Sequence, residues 1–155
     1  MNSTFVFVRH GAANKTRDED GKARDNGLTP SGIAHARETG RRLLSLGITP
    51  QLIVHTRTPR TRQTAHLIAA AYASEIKIQT TKSGFRDLDG LHTKLAGWTR
   101  SSPPGVVLFC GHHSSQQALT RAFRLGLKRA DRGVILLEPA TGACRSIEVD
   151  ADRAL

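Results

Sequence analysis

The sequence has few cysteines and no long apolar run. Its two cysteines, Cys110 and Cys144, lie far apart in apolar or strand-like surroundings, which is neither a disulfide framework nor a zinc-ligand spacing. No apolar stretch approaches the length of a membrane helix. The first apolar run is too short for a signal peptide, and no basic segment precedes it. We therefore expect a cytoplasmic protein that does not cross a membrane.

Aromatic residues and acidic residues are also scarce. Aromatics make up 5% of the chain, and 13 acidic residues face 23 lysines and arginines, for a formal net charge of +10. A basic surface favours anionic partners. No stretch interleaves basic and aromatic residues as RNA-binding segments do, so nucleic acid is not favoured. For most of these basic residues, a solvated surface is the simplest interpretation. Local clusters occur at Arg57, Arg60 and Arg62 and at Lys128, Arg129 and Arg132.

The sequence contains alternating strand and helix patterns, enough for one domain. The 155 residues contain no repeat, low-complexity tract or dividing linker, which predicts a single domain over 1–155. Helix starts are indicated at Thr29-Pro30 and Thr58-Pro59. The first helix should end at Gly47 and bury a stripe of Ile33, Ala36, Leu43 and Leu44. Strands are predicted near 5–8, 51–54, 76–78 and 105–112 and twice within 133–149, a third helix over 114–127, and loops over 14–27 and 83–104, the latter with a short helix near 92–98.

This alternation predicts an α/β fold with a mostly parallel sheet covered on both faces. The terminal hairpin adds at least one antiparallel strand. The third helix should turn Ala118, Leu119, Ala122 and Phe123 inward. In such sheets, ligands bind outside the carboxyl ends of the strands.

Three predicted strands end in residues that suit a phosphate site. The strand FVFV runs into Arg9-His10-Gly11, VVLFCGHH ends at His112, and LIVHTRTPR ends among arginines. Arginine forks match phosphate oxygens, and a neutral imidazole can attack phosphorus. We expect the cationic neighbours to lower the pKa of the attacking histidine and so keep it neutral. If the three strands are neighbours, these side chains converge at one edge.

Each motif also has a simpler explanation. Arg9-His10-Gly11 alone could be a turn, His112 a buried structural histidine, and the arginines a solvated helix start. For all three explanations to hold, three strand exits must carry these residues by independent coincidence. The joint pattern therefore favours a phosphate site.

The motifs, in order and spacing, resemble those of the histidine phosphatase superfamily, whose hallmark is Arg-His-Gly after the first strand. LTPSGIAHA at 28–36 is similar to the family's L-T-x-x-G-x-x-Q-A, with His35 where glutamine is usual. PRTRQTA at 59–65 places the family's second phosphate-binding arginine on Arg60, and VVLFCGHH places its second histidine on His112. The resemblance implies a three-layer, phosphoglycerate-mutase-like α/β/α sandwich with an antiparallel edge strand. It also implies a phosphatase similar to the small members that act on protein phosphohistidine.

The sequence departs from the family pattern in two places. Ala12 and Ala13 stand where the family often has Glu or Gln followed by Thr or Ser, so a phosphate-contacting hydroxyl is absent. The family's proton donor is commonly a glutamate; here GFRDLDG supplies Asp87 at that position, with Asp89 two residues on. Aspartate is one methylene shorter. Either residue could instead cap a loop.

The resemblance implies a two-step reaction on an anionic phosphorylated substrate, either a small molecule or a phosphoprotein. His10 takes the phosphoryl group, Asp87 protonates the leaving group, and Arg9, Arg60 and His112 hold the oxygens, with Gly11 and His113 also at the binding site. The sequence shows no carboxylate cluster for a metal, and we expect no cofactor.

Other functions remain open at this point. A mutase would need an enclosed pocket, for which the chain has little room. A catalytically weak phospho-ligand binder or adaptor would suit the departures at Ala12, Ala13 and Asp87. A nucleic-acid-binding module would not use His10 and would show a steep salt dependence. The short, polar connections predict an open site that suits an extended or protein-borne phosphoryl group.

Overall fold

The computed structural model describes residues 4–17, 23–82, 105–122, 134–138 and 143–149. The predicted short helix near 92–98 and the candidate acids Asp87 and Asp89 lie outside the described residues. The strands are β1 (Thr4–Arg9), β2 (Ala13–Arg17), β3 (Ala23–Leu28), β4 (Leu52–His55), β5 (Lys77–Thr80), β6 (Val106–Gly111), β7 (Val134–Leu137) and β8 (Cys144–Ile147). The helices are α1 (Pro30–Ser45), α2 (Pro59–Ala69) and α3 (His113–Ala122).

A six-stranded sheet forms the centre of the fold, in the order β5-β4-β6-β1-β7-β8. Strands β5, β4, β6 and β1 pair in parallel, whereas β7 runs antiparallel to both β1 and β8. The antiparallel strand is thus one position inside the edge strand β8. This mixed, mostly parallel sheet confirms the predicted α/β class.

The two faces of the sheet bury separate apolar layers, because side chains alternate along each strand. One face carries Phe5, Phe7 and Phe109, and Leu119 of α3 packs on them. The other face carries Val6, Val8 and Ile53, which contact Leu43 of α1 and Ile68 of α2. The helices therefore cover both faces, and the three-layer arrangement follows. It also explains why β1 is apolar at four consecutive positions.

Helix α1 begins and ends where its sequence predicts. The Thr29 side chain accepts a hydrogen bond from the Gly32 N–H, and Pro30 occupies the first helical position. At the other end Gly47 adopts a φ of 73°, and the Ile48 N–H donates to the Leu43 carbonyl. The predicted apolar stripe was wrong at one position: Leu44 is 47% exposed, because it lies a helical step away from the buried face of Leu43.

Residues 14–27, predicted as a loop, instead belong mostly to an antiparallel hairpin of β2 and β3. The prediction was wrong because these strands lack the apolar alternation that marks a half-buried strand. Backbone pairing and attachment to the rest of the fold replace it: the Leu28 N–H donates to the Gln63 Oε1 of α2 at 2.8 Å. The hairpin thereby stands beside the carboxyl end of β1.

Both cysteines are free thiols; Cys110 is buried and Cys144 partly buried. The predicted third helix begins at His113 and is described as far as Ala122, with Leu119 fully buried. Across the described ranges, the helices are too short or too polar to cross a bilayer.

Candidate active site

The strands that carry the three predicted motifs are consecutive in the sheet, which is the condition under which the sequence predicted that their side chains converge. Strand β6 lies between β4 and β1, and the register aligns Arg9 with Gly111 and His55 with Cys110. All three strands point the same way. The residues that follow them therefore emerge at one edge, outside the carboxyl ends of the strands.

His10 is held in one tautomer by its own loop. Its Nδ1 lies 2.6 Å from the Gly11 carbonyl oxygen. A carbonyl can only accept, so Nδ1 carries the proton in the neutral ring. The lone pair of the neutral imidazole is therefore on Nε2, on the opposite side of the ring from the backbone. That arrangement leaves a nucleophilic nitrogen free of the loop that orients it.

The pKa of His10 is lowered from 6.5 to about 4, chiefly because burial disfavours the charged ring. The hydrogen bond to Gly11 acts in the opposite direction, and the positive charges of Arg60, His112 and Arg9 lower the pKa further. The sequence attributed the lowering to these cations. Its direction is as expected, but burial contributes more than the charges do. His10 is neutral at physiological pH in either case.

His112 faces His10, with ring centroids 5.4 Å apart and ring planes at 68°. Its Nδ1 lies 3.5 Å from an Nη2 of Arg60, and its Nε2 lies 2.8 Å from the Oγ1 of Thr56. A guanidinium can only donate, so Nδ1 accepts, and Nε2–H donates to the threonine. The Arg60 guanidinium thus contacts His112, and its positive charge also acts on His10.

A chain of threonine hydroxyls begins at the Thr56 hydroxyl, which contacts His112. Thr56 Oγ1 lies 2.8 Å from the Oγ1 of Thr61, which lies 2.8 Å from the Oγ1 of Thr58. The Thr58 side chain also caps α2, as predicted, by accepting from the Thr61 N–H. Sequence reasoning missed Thr56 and Thr61. The available signal was that Thr56 directly follows β4.

The loop after His10 packs tightly against α1 and α2. The Gly11 N–H donates to the Thr64 Oγ1 of α2 at 3.4 Å. A Cβ on Gly11 would lie 2.6 Å from the Gly32 carbonyl oxygen, and one on Gly32 would clash with the Ala12 carbonyl oxygen. Two glycines therefore let α1 approach the backbone that orients His10.

Three helices begin at this edge of the sheet. The Thr29 N–H before α1 donates to the Ala12 carbonyl, and α2 begins at Pro59, one residue before Arg60. At α3, the Ser115 and Gln116 N–H groups donate to the His112 carbonyl. The partial positive charge at each helix start adds to the field of the arginines and favours an anion here.

The structure thus places Arg9, His10, Gly11, Arg60 and His112 at one edge, and their roles remain predictions. His113 is the first residue of α3 and is half-buried. Asp87 lies outside the described residues. Over the described ranges, no group of three or more histidine, cysteine or acidic side chains could hold a metal ion.

Comparisons with known proteins agree with this arrangement. The sequence profile of the histidine phosphatase superfamily (branch 1) matches residues 5–93, which span all of the strand-end motifs except that of His112. No curated protein sequence matches the chain significantly.

Solved structures share the fold at low sequence identity. The protein histidine phosphatase SixA complexed with tungstate has a TM-score of 0.72 at 12% identity, over 98% of this chain and 99% of that one. The candidate phosphohistidine phosphatase SixA from Agrobacterium tumefaciens has a TM-score of 0.66 at 19% identity, over 96% and 97%. A phosphoserine phosphatase from Entamoeba histolytica, in complex with 3-phosphoglyceric acid, has a TM-score of 0.64 at 12% identity, over 99% and 100%. At these identities the likeness shows the fold, which is phosphoglycerate-mutase-like as predicted.

Proposed function

The chain belongs to the histidine phosphatase superfamily, and from that premise we propose that it is a phosphatase that works through a covalent phosphohistidine on His10. The observation that carries the proposal is the pairing of His10 with the Gly11 carbonyl. It leaves Nε2 of a neutral ring as the nucleophile, with His112 and Arg60 alongside.

In the first step, the His10 Nε2 lone pair forms a bond to phosphorus as the bond from phosphorus to the leaving group breaks. Asp87 gives its proton to the departing atom. Arg9 and Arg60 hold the phosphoryl oxygens and stabilise the negative charge as it spreads over them. In the second step, a water deprotonated by Asp87 attacks phosphorus. The P–N bond breaks, its electron pair returns to Nε2, and inorganic phosphate leaves.

His112 has a different task from His10. Its Nδ1 accepts a hydrogen bond from Arg60, and its Nε2–H donates to Thr56. A phosphoryl dianion arriving between the two rings favours protonation of His112, since an opposite charge stabilises the imidazolium. The added Nδ1–H then donates to a phosphoryl oxygen. Thr56 keeps the ring in the orientation that allows this.

We further propose that the substrate is protein phosphohistidine. Two structural neighbours are a protein histidine phosphatase and a candidate phosphohistidine phosphatase, and the formal charge of +10 suits an acidic macromolecule. The tungstate held by one neighbour is a tetrahedral oxyanion. Tungstate should accordingly compete with substrate in this protein.

A rapid-quench experiment tests the covalent step. Wild type mixed with a ³²P-labelled phosphoryl donor should yield a protein label that is labile in acid and stable in base. His10→Ala should yield no label and no turnover. Cys144→Ala is the matched control, because it removes the partly exposed thiol and should keep both. A label on serine or cysteine, or turnover by His10→Ala, would contradict the mechanism.

The same assay tests our proposal that no metal is required. Because Arg9, Arg60 and His112 supply the positive charge that metal ions supply in other phosphoryl-transfer enzymes, EDTA should not change the rate. Loss of activity that Mg²⁺ or Zn²⁺ restores would mean that a metal takes part.

A second candidate function is phospho-ligand binding with little catalysis. The observation that favours it is the pair Ala12 and Ala13, which supplies no hydroxyl where the family often has one. Such a protein would bind tungstate, which binding calorimetry detects, yet would hydrolyse neither an aryl phosphate nor a phosphohistidine-bearing protein.

A further inference from the structure

A second basic site lies outside the catalytic constellation, at the carboxyl ends of β4 and β5. It is an open cleft of about 550 Å³ between β5 and α2. Arg57 and Arg62, singled out in the sequence and unused by the mechanism, both border it. The lining residues are His55, Arg57, Arg62, His66, Ile78 and Thr80.

Helix α2 separates this cleft from the phosphoryl site. Arg60 and Arg62 are two residues apart, which places them about 200° apart around the helix. The Arg60 side contacts His112 and, through Thr64, the Gly11 N–H. Arg62 and His66 are four residues apart and share the other side, which faces β5. The two sites therefore lie on opposite sides of the first turns of one helix.

The basic side chains that border the cleft are accessible to a ligand. Arg57, Arg62 and His66 are all exposed. Among the carboxylates in the described part of the chain, none forms an ion pair with Arg57 or Arg62; the pair seen there joins Arg41 to Glu38. His55, by contrast, is buried and occupied, since its Nδ1 donates to the Thr56 carbonyl at 2.7 Å. Two guanidiniums and one imidazole thus face solvent together.

A single molecule can reach both sites. Thr56, which contacts His112, is the next residue after His55 of the cleft wall. The distance to be spanned is on the order of one helix diameter, about 10–12 Å with side chains. An extended polypeptide rises about 3.3 Å per residue, so about three residues cover that distance.

We propose that the cleft binds an acidic side chain of a protein substrate, about three residues along the chain from the phosphorylated residue that reacts at His10. This inference rests on the proposed function. Exposed arginines in an open cleft suit a carboxylate on a passing polypeptide, whereas enclosed, mostly apolar pockets suit small ligands. The cleft then selects among phosphoproteins by the charge of their sequence.

Peptide substrates test the proposal. Two phosphohistidine peptides of equal length are compared, one with glutamates two to four residues from the phosphohistidine on both sides and one with glutamines there. Wild type should hydrolyse the acidic peptide with a kcat/KM about three- to tenfold higher, as expected of two exposed ion pairs. Arg57→Gln/Arg62→Gln should lose that preference and keep its activity on the glutamine peptide. The matched control Arg37→Gln/Arg145→Gln removes two other exposed arginines and should keep the preference.

Two further measurements separate the possible failures. The first is fluorescence anisotropy of a labelled acidic peptide without phosphate, which reports binding in the cleft even if turnover is absent. Wild type and the control should bind it more tightly than Arg57→Gln/Arg62→Gln. Absent turnover with this difference intact would refute the proposed function alone. Equal binding by all three proteins, or an acidic preference that survives in Arg57→Gln/Arg62→Gln, would overturn the cleft proposal.

The second measurement compares a sugar bisphosphate with its monophosphate. Neither the wild type nor the double variant should prefer the bisphosphate through the cleft. If Arg57 and Arg62 instead discriminate the bisphosphate and not the acidic peptide, the occupant is a second phosphate of a small molecule, and the acidic-segment proposal is wrong.

Discussion

At the scale of single residues, His10 is governed by two opposing influences. Burial and nearby cations disfavour its protonation, while the Gly11 carbonyl favours a proton on Nδ1. The hydrogen bond therefore acts on orientation more than on charge: it selects the tautomer without making the ring an imidazolium. A nucleophile needs both conditions, an unprotonated Nε2 and a fixed direction.

Because the pKa of His10 is lowered to about 4, we expect the midpoint of its NMR titration to lie near pH 4. Arg60→Gln should raise this midpoint, because it removes a positive charge, yet leave it below 6.5, since burial is the larger cause. Arg62→Gln on the far side of α2 should leave it unchanged. The pKa of His10 is lower in the folded state than in the unfolded state, so unfolding takes up a proton between about pH 6.5 and 4. The free energy of unfolding therefore decreases as the pH falls through that range. A wild-type midpoint at 6.5 would show that the ring is solvated.

Asp87→Asn should harm poor leaving groups most. An alkyl phosphate leaves as an alkoxide that needs a proton, so we expect its kcat to fall by about 10²- to 10⁴-fold. A nitrophenyl phosphate needs almost none and should change little. Steady-state rates on both substrates, with Asp89→Asn as the matched control, make the comparison. Equal losses on both substrates would make Asp87 structural, and no loss on either would pass the acid role to Asp89 or solvent.

Residue-scale prediction from the sequence succeeded where chemistry breaks a pattern. An imidazole just beyond a run of apolar strand residues is conspicuous, which is how His10 and His112 were found. Thr56 and Thr64 were not found, because a threonine near a helix start is common and its contact with His112 or Gly11 depends on how strands and helices meet. Such contacts exist only after folding.

At the scale of elements, the hairpin of β2 and β3 shows how packing can outweigh local pattern. Its sequences carry charge and polarity, and nothing in their periodicity predicts pairing. What the structure adds is an attachment to α2 through Gln63, together with Gly27 at a φ of 85°. That attachment fixes the hairpin next to the loop that orients His10.

Removing the attachment should loosen the hairpin. Gln63→Ala deletes the acceptor for the Leu28 N–H, and Leu28 is buried. Because the donor is left without a partner, we expect the free energy of unfolding to fall by about 1–2 kcal/mol. The value of kcat/KM should fall as well, since Thr29 and Ala12 lie beside that strand end. Gln63→Glu keeps an acceptor oxygen and should retain most of both quantities. Urea unfolding and steady-state kinetics report the two; equal effects of Ala and Glu would show that the hydrogen bond does not matter.

At the scale of the whole molecule, topology converts scattered sequence motifs into one site. Alternating strands and helices predicted a mostly parallel sheet, but not that β6 would lie between β4 and β1. That order brings His10, His112 and Arg60 together from three separate stretches of chain. The positions of such motifs along the chain can therefore be predicted from sequence. The distances between their side chains in space cannot, because crossover connections leave the strand order open.

The net charge should make association with an acidic phosphoprotein depend on salt. The formal charge of +10 is spread over the chain, so a large acidic partner meets its summed field, whereas a small phosphomonoester meets mainly the field of the half-buried site. Raising salt from about 0.1 M to about 1 M shortens the screening length from about 10 Å to about 3 Å. We expect kcat/KM for a phosphohistidine-bearing acidic protein to fall by about tenfold or more, with kcat nearly unchanged because the chemical step is local. For a nitrophenyl phosphate, kcat/KM should fall much less over the same range. A small metabolite that is preferred by a wide margin, with no effect of salt on either substrate, would contradict an open site for a macromolecular partner and indicate a metabolic phosphatase.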